Sequence, residues 1–227
     1  LKGFFMKYYL IFLIVVFNNL YSYKAKDIND FYNNYYSANY NLSDLQKNNS
    51  LTYENISYLA ESKKLKDDKE KYNYLKNQID KNENYLSSND IDYLISVSEL
   101  MSYIVYYCGL PEKISFGGKT KDIYKKVLEK DSNNFFALLG VGVGYMHAPK
   151  IAGGSDKKAF EYFNKALNNS NQKYQKYLSF VWLSQYYFKI KDNENYKKYI
   201  DMSIEIYPNG DLLKEAINRN NNKKKPL

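Results

Sequence analysis

The sequence predicts an all-α fold: a right-handed α-solenoid of stacked antiparallel helix pairs, with three to four repeats and a final capping helix. Three observations predict it. Small and large apolar residues recur along residues 127–208 at the spacing of paired helices. No stretch of the chain shows the sustained alternation of a β-strand. Ten glycines and four prolines in 227 residues leave long segments free to be helical.

The repeat pattern places small residues where two helices touch and large residues where they leave room. It begins on the first helix of a central repeat and ends at a proline stop. The residues predicted to make the repeat packing are Leu138, Gly142, Tyr145, Ala159, Phe163, Ala166, Leu183, Tyr187 and Pro208. Val127 lies 39 residues before Ala166, and a perfect array would give about 34, so we expect one repeat to carry an insertion.

We divide the chain into four parts. Met6 and Lys7 precede an apolar and aromatic run at residues 8–17, which is typical of a secretory signal peptide over residues 1–22. The run is shorter than the roughly 20 residues that span a bilayer, and an uncleaved anchor is the alternative. Residues 23–50 form an N-terminal extension, 51–217 the helical-repeat domain and 218–227 a basic disordered tail. Export to the periplasm is therefore expected, with membrane contact only through an uncleaved N-terminal segment.

The net charge of +8 is concentrated at the two ends of the chain. Residues 1–22 and the tail from Asn218 carry six basic residues and no acid. Without those six, 27 of the 33 basic residues remain against 25 acidic ones. The body is close to neutral, so we predict no nucleic-acid partner. The single cysteine, Cys108, cannot form an internal disulfide.

Helical spacing predicts amphipathic helices from the extension onward. Ile28, Phe31 and Tyr35 predict a short helix within residues 27–39. A helix over residues 51–65 and one capped by Asp67-Asp68 follow, and residues 87–90 cap a strongly apolar helix at 91–107. The later helices are predicted at residues 119–130, 133–146, 156–167 with Ser155 as its cap, 173–190, 192–207 and 211–217.

Two predicted loops resemble each other. Residues 108–118 come directly after Tyr107 and residues 147–154 come two residues after Tyr145, and each segment contains a proline and ends in Gly-Gly. Each joins the two helices of one pair, so both should project from the same edge of the stack. Two interpretations stay open: a shared structural turn, and a paired edge that contacts a partner.

The first helices of the pairs predict an apolar groove on the face turned away from the second helices. Its predicted residues are Met101, Val105, Leu139, Val143, Met146, Val181, Gln185 and Phe188, with Cys108 at one end. An uncovered patch this apolar is unusual on a soluble monomer. We expect a segment of this chain, a partner helix or a small apolar ligand to cover it. The intramolecular candidate is the helix within residues 27–39.

Motifs for nucleotide binding fail on spacing. Gly118-Lys119-Thr120 lacks the earlier glycine of a phosphate loop, since position 113 is Lys. The three glycines at 140, 142 and 144 lack the spacing of a dinucleotide fingerprint.

Catalytic and metal sites are not expected either. His147 is the only histidine, and no second imidazole or carboxylate cluster lies near it. Cys108 would need that histidine as its base, from another repeat and without a group to orient it. The carboxylates lie among lysines on predicted outer faces, so none should have a pKa raised for acid–base work. The sequence thus predicts no catalytic residues, no metal and no cofactor.

The register of residues 91–217 resembles bacterial tetratricopeptide repeats. Ser184 and Ser203 depart from the small apolar residues of that pattern, and Tyr196 is bulky where Ala is usual. Residues 149–163, Pro-Lys-Ile-Ala-Gly-Gly-Ser-Asp-Lys-Lys-Ala-Phe-Glu-Tyr-Phe, are similar to a helix entry in exported bacterial repeat proteins. These include the T components of TRAP-type transporters, although this chain lacks the cysteine that anchors many of them to lipid.

These resemblances imply a function without catalysis. Tetratricopeptide proteins imply an exported scaffold for protein–protein interaction, here through the apolar groove to an unidentified protein partner. The T-component resemblance implies the alternative, a periplasmic subunit of a transport system. That subunit would bind a solute-binding protein or a small apolar ligand.

Overall fold

The structure is a computed structural model and describes residues 28–38, 50–222, 224, 226 and 227. These residues form α-helices and two short 3₁₀ turns, Glu83–Tyr85 and Lys150–Ala152, and contain no strand, which confirms the all-α prediction. The helices are α1 (28–36), α2 (Leu51–Ser62), α3 (Asp68–Asn82), α4 (Ile91–Ile104), α5 (Leu110–Lys130), α6 (Phe135–His147), α7 (Asp156–Asn168), α8 (Lys173–Lys189), α9 (Asn193–Ile206) and α10 (Asp211–Asn221). The predicted signal peptide lies outside the described residues.

Polar side chains begin several of these helices. In each case an Asp, Asn or Ser side chain accepts a hydrogen bond from the backbone N–H three residues on, which satisfies a donor that the helix start leaves unpaired. The capping residues are Asp67, Asp90, Asn134, Ser155 and Asp192. The caps predicted at Asp67, Asp90 and Ser155 are confirmed.

The predicted loop at residues 108–118 is wrong, because α5 begins at Leu110 and runs unbroken through this stretch. Pro111 lies in the first turn of α5, where a missing N–H breaks no helical hydrogen bond. Gly117 and Gly118 face open space, and the buried Phe116 and Thr120 beside them hold the helix against its neighbours. The second predicted loop is present after α6, where Gly153 has the left-handed φ of +86° that glycine tolerates.

One tight helix crossing joins α6 to α7. A Cβ added at Gly142 would lie 2.6 Å from two ring carbons of Phe163 and 3.4 Å from the carbonyl oxygen of Ala159. Phe163, Ala159 and Ala166 are all fully buried. A second close approach lies between α5 and α6, where a Cβ at Gly140 would meet the Tyr124 ring at 2.1 Å. Only glycine lets these backbones come so near.

Helices that are neighbours in sequence pack on each other from α2 to α9, and α8 also contacts α6 and α10. Neighbours run antiparallel, because the contacts between them join either the two ends beside their connecting turn or the two ends remote from it. The contacts that show this are Tyr58 with Tyr74, Lys130 with Asn89, Tyr124 with Gly140, Gly142 with Phe163, Phe160 with Tyr186 and Phe188 with Tyr196. One buried apolar cluster lies among α2–α6, and a second joins α1, α2 and α6–α10.

The end of the chain differs from the disordered tail that the sequence predicts from residue 218. Helix α10 continues to Asn221, and the side chain of Leu227 is buried, at 2% exposed. The backbone N–H of Leu227 donates to Oε1 of Gln185 over 3.3 Å, and Arg219 donates to the carbonyl oxygen of Pro226 over 3.2 Å. These contacts place Leu227 against α8 and Pro226 against α10. None of the helices described here combines the length and the apolar character that crossing a bilayer would require.

Candidate functional site

The residues predicted to line the groove lie mostly inside the protein. We call the surface that they form on α4, α6 and α8 the inner face. Its members Met101, Leu139, Met146, Val181 and Gln185 are buried. Val105, Val143, Phe188 and the adjacent Cys108 are partly buried. Most of the inner face is therefore covered by this chain itself.

Helix α1 provides a large part of that cover. Phe31, Tyr32 and Tyr35 on one side of α1 are buried in the same cluster as Leu139 and Val181. The helix predicted within residues 27–39 is thus present, and its apolar side lies against the inner face. The opposite side of α1, with Asp30 and Asn34, is exposed.

Aromatic rings and hydrogen bonds define where α1 sits. The Tyr32 ring lies 5.0 Å from the ring of Phe136 on α6 and 5.2 Å from that of Tyr174 on α8, between centroids. The Tyr174 hydroxyl donates to Oδ1 of Asn29 over 3.1 Å, and the Tyr207 hydroxyl donates to Oδ1 of Asn33. These polar contacts fix both the position of α1 along the inner face and its rotation.

The approach of α1 to the start of α10 is close enough to require a glycine. A Cβ at Gly210 would lie 2.2 Å from the Tyr177 hydroxyl oxygen and 2.8 Å from the carbonyl oxygen of Tyr36. The Tyr177 hydroxyl in turn accepts a hydrogen bond from the backbone N–H of Leu213 over 3.0 Å. The segment before α10 thus holds α1 from a second side.

Glu99 on α4 is the acidic centre of this contact. The hydroxyls of Tyr32 and Tyr36 on α1 both donate to its carboxylate, each over 3.4 Å. Burial raises the pKa of the Glu99 carboxyl from its usual 4.5 to about 7, while the two tyrosine hydrogen bonds and the charge of Lys63 act to lower it. The expectation that every carboxylate lies on an outer face is therefore wrong for Glu99.

Lys63, directly after α2, is the matching basic group. Its Nζ lies 4.3 Å from the centre of the Tyr35 ring and 5.9 Å from that of Tyr103, a cation–π arrangement. Burial lowers the pKa of the Lys63 ammonium from its usual 10.5 to about 8, and the carboxylates of Asp211, Glu215 and Glu99 oppose that shift. Lys63 and Glu99 thus place a basic and an acidic group against the tyrosines of α1.

Cys108 lies in the turn after α4, and His147 is the last residue of α6. Burial, followed by the charge of Glu112, raises the pKa of the Cys108 thiol. A raised pKa leaves little of the nucleophilic thiolate at neutral pH. The imidazole of His147 packs edge-on against Trp182, with ring centres 6.3 Å apart. No cluster of three metal-ligating side chains occurs in the described part of the chain.

Two surface depressions among the described residues lie away from the inner face. One is lined by polar residues at the start of α3, including Asp67 and Asn77. The other lies between the start of α2 and the α3–α4 turn, beside Leu51 and Tyr85. Neither contains a residue predicted for the groove.

No protein-family model, no curated protein and no solved structure matches this chain. The resemblances to tetratricopeptide proteins and to T components therefore stay predictions.

Sequence reasoning missed Glu99 and Lys63 as members of the site. A signal for Glu99 was present, since it is the only charged residue between Asp92 and Glu112. An isolated carboxylate in an apolar helix indicates a buried partner. Lys63 has no such signal, because it lies in a run of lysines that reads as a solvated turn.

Proposed function

We propose that this protein is a non-catalytic helical-repeat scaffold that binds a protein partner by receiving an amphipathic, tyrosine-rich helix on its inner face. The observation that carries the proposal is the docking of α1, which occupies that face in the manner of a bound helical ligand. Helix-in-groove recognition uses an apolar side of the ligand helix with anchors at intervals of three and four residues. In α1 those anchors are Ile28, Phe31, Tyr32 and Tyr35, all wholly or partly buried.

The polar contacts of α1 support recognition rather than simple covering. An intramolecular plug needs only apolar area, whereas the hydrogen bonds of α1 reach three scaffold residues. Asn29 bonds to Tyr174, Asn33 to Tyr207, and Tyr32 and Tyr36 both bond to Glu99. Such bonds discriminate between helices, because a ligand that lacks them leaves buried polar groups unpaired.

The packing of neighbouring helices supports a repeat architecture. The first helices of successive pairs, α6 and α8, contact each other directly, as do the second helix of one pair, α7, and the first of the next, α8. In a solenoid such contacts align the first helices into one extended surface. In this protein α6 and α8 would contribute such a surface to the inner face.

The test asks whether the inner face accepts the helix in trans. Phe31→Asp places a carboxylate on the buried side of α1 and should release it, after which a labelled peptide of residues 28–38 should bind. Asn34→Asp adds the same charge to the exposed side of the same helix and serves as the matched control. The Asn34→Asp protein and the unaltered protein should not bind the peptide, because α1 already fills its site. Fluorescence anisotropy of the labelled peptide measures its binding to each of the three proteins.

Two results would contradict the proposal. One is a Phe31→Asp protein that still melts cooperatively but does not bind the peptide. The other is a Phe31→Asp protein that fails to fold, which would make α1 a part of the fold and not a docked segment. The alternative function, a transport subunit with a small apolar ligand, stays a prediction, as does export to the periplasm.

A further inference from the structure

The two ends of the helices differ in their chemistry. Because neighbouring helices run antiparallel, the turns that follow α2, α4, α6 and α8 lie at one end of the helices. We call this end the basic edge, and it comprises residues 63–67, 105–109, 148–155 and 190–192 with the adjoining first turn of α5. The opposite edge comprises the turns after α3, α5, α7 and α9, residues 83–90, 131–134, 169–172 and 207–210.

Direct contacts connect two of the turns along the basic edge. Lys189, at the end of α8, pairs with Asp156 at the start of α7 over 2.5 Å. Its Nζ also donates to the carbonyl oxygen of Met146, near the end of α6, over 2.6 Å. The turns after α6 and α8 are therefore held side by side.

Four large aliphatic side chains point into solvent along this edge. Leu110 and Ile114, in the first turns of α5, are 70% and 69% exposed. Ile151, in the turn after α6, is 99% exposed, and Ile190, after α8, is 43% exposed. Two further exposed aliphatic residues adjoin the opposite edge, Leu51 at the start of α2 and Ile204 in the last turn of α9, and they are less exposed, at 36% and 40%. Isolated exposed aliphatics need no explanation, but their recurrence at successive turns of one edge does.

Lysines accompany these aliphatic residues. Lys64, Lys66, Lys150 and Lys191 lie in the turns of the basic edge, and all four are exposed. Lys113, one residue before Ile114, is exposed as well. Three of the four aliphatic residues have a lysine directly beside them in the sequence, as in Lys150-Ile151 and Lys189-Ile190-Lys191.

The acids of the basic edge are already engaged. Asp67 and Asp192 each accept a backbone N–H as a helix cap, and Asp156 pairs with Lys189. Glu112 accepts a hydrogen bond from the Tyr72 hydroxyl. These contacts leave the carboxylates charged, but the residues of the basic edge hold six lysines against the three acids Asp67, Glu112 and Asp192, so its charge is predominantly positive.

The opposite edge has the reverse character. Its four turns contain no lysine and no arginine, carry the acids Glu83, Asp90 and Asp131, and consist mainly of Asn, Ser and Gln. Its exposed large apolar side chains are Tyr85 and, on the adjoining helix turns, Leu51 and Ile204. Lys119, Lys126 and Lys130 on α5 do reach this edge, where they contact Glu83, Ser88 and Asn89, so the contrast in charge lies in the sequences of the turns themselves.

We propose that the basic edge binds the surface of an anionic lipid bilayer. Its aliphatic tips would enter the boundary between headgroups and acyl chains, while its lysines neutralise anionic headgroups. The composition favours lipid over protein, because protein interfaces are enriched in arginine and depleted in lysine. The only arginine in the chain, Arg219, lies on α10. The aliphatic residues also form separate tips and not one contiguous patch.

The experiment places a probe at each edge of the full chain. Cys108→Ser removes the only cysteine, and an environment-sensitive fluorophore is then attached through Ala152→Cys at the basic edge or Ser132→Cys at the opposite edge. Both positions are exposed. Each protein is mixed with vesicles of phosphatidylcholine alone or with one quarter phosphatidylglycerol. Any effect of the apolar run at residues 8–17 is the same in both proteins.

The probe at 152 should shift to the blue with the anionic vesicles, and the probe at 132 should not. Lys150→Gln should raise the lipid concentration at half response about fivefold, whereas Lys130→Gln, beside the opposite edge, should leave it unchanged. Equal responses at 152 and 132, or no response at 152, would overturn the proposal. A shift at 152 that depends on protein concentration without vesicles would indicate self-association and would overturn it as well.

Discussion

Gly142 offers the sharpest test of how the helices pack. An alanine Cβ at this position would lie 2.6 Å from Cδ1 and Cε1 of Phe163. Carbon atoms in contact prefer about 3.5–4.0 Å, so the ring would have to move by roughly 1 Å. Phe163 is fully buried, and its ring stacks against Trp182 with centres 6.3 Å apart, so packing opposes that movement.

The expected size of the effect follows from two opposing contributions. Overpacking a buried site costs up to about 3 kcal/mol, and alanine gains about 1 kcal/mol over glycine in helix propensity. We therefore expect Gly142→Ala to lower the free energy of unfolding by about 1–2 kcal/mol. Urea unfolding followed by circular dichroism measures this directly.

Gly144, two residues further along α6, provides the matched control. A Cβ at Gly144 would meet nothing within 4 Å. Gly144→Ala should therefore raise the free energy of unfolding by about 0.5–1 kcal/mol, through the higher helix propensity of alanine alone. The melting temperatures of the two variants should differ by roughly 3–12 °C. If Gly142→Ala were as stable as Gly144→Ala, the tight crossing between α6 and α7 would be refuted.

Three further predictions concern other parts of the chain. Burial raises the pKa of Glu99 to about 7, so between pH 4.5 and 7 the folded state keeps a proton that the unfolded state has released. The free energy of unfolding should therefore fall as the pH rises from 4.5 to 7. Glu99→Gln should remove that fall. If urea unfolding gave the unaltered and Glu99→Gln proteins the same pH dependence of the free energy of unfolding, the reasoning would be wrong. Tyr177→Phe leaves the backbone N–H of Leu213 without its acceptor. It should lower the free energy of unfolding, measured by thermal unfolding, by about 1–3 kcal/mol, whereas Tyr85→Phe on the surface should leave it unchanged. Gly117→Ala should raise the melting temperature, because position 117 lies in open space within a continuous helix; a lower value would indicate that α5 is broken there.

Local signals predicted most of the helices. The caps at Asp67, Asp90 and Ser155 lie where their side chains can reach the backbone three residues on, and that interaction needs no distant partner. The helix around Phe31 and Tyr35 was predictable for the same reason, since its apolar side shows in the spacing alone.

Analogy between segments was a poor guide. Residues 108–118 share their proline and Gly-Gly with residues 147–154, yet one stretch begins a helix and the other forms a loop. The outcome depends on whether neighbouring helices bury the residues beside the glycines. Phe116 is buried, whereas Ile151 in the corresponding stretch is fully exposed. Sequence similarity over a short segment carries no information about those neighbours.

The sequence alone determined that this chain is helical and where most of its helices begin and end, because those features depend on interactions within a few residues. Only the tertiary structure decided what lies on the inner face and which charges are buried there. The contact between Tyr174 and Asn29 joins residues 145 positions apart, and the contact between Tyr32 and Glu99 joins residues 67 apart. The pKa of Glu99 follows from the burial that such contacts create, and burial by distant segments leaves no periodic trace in a sequence.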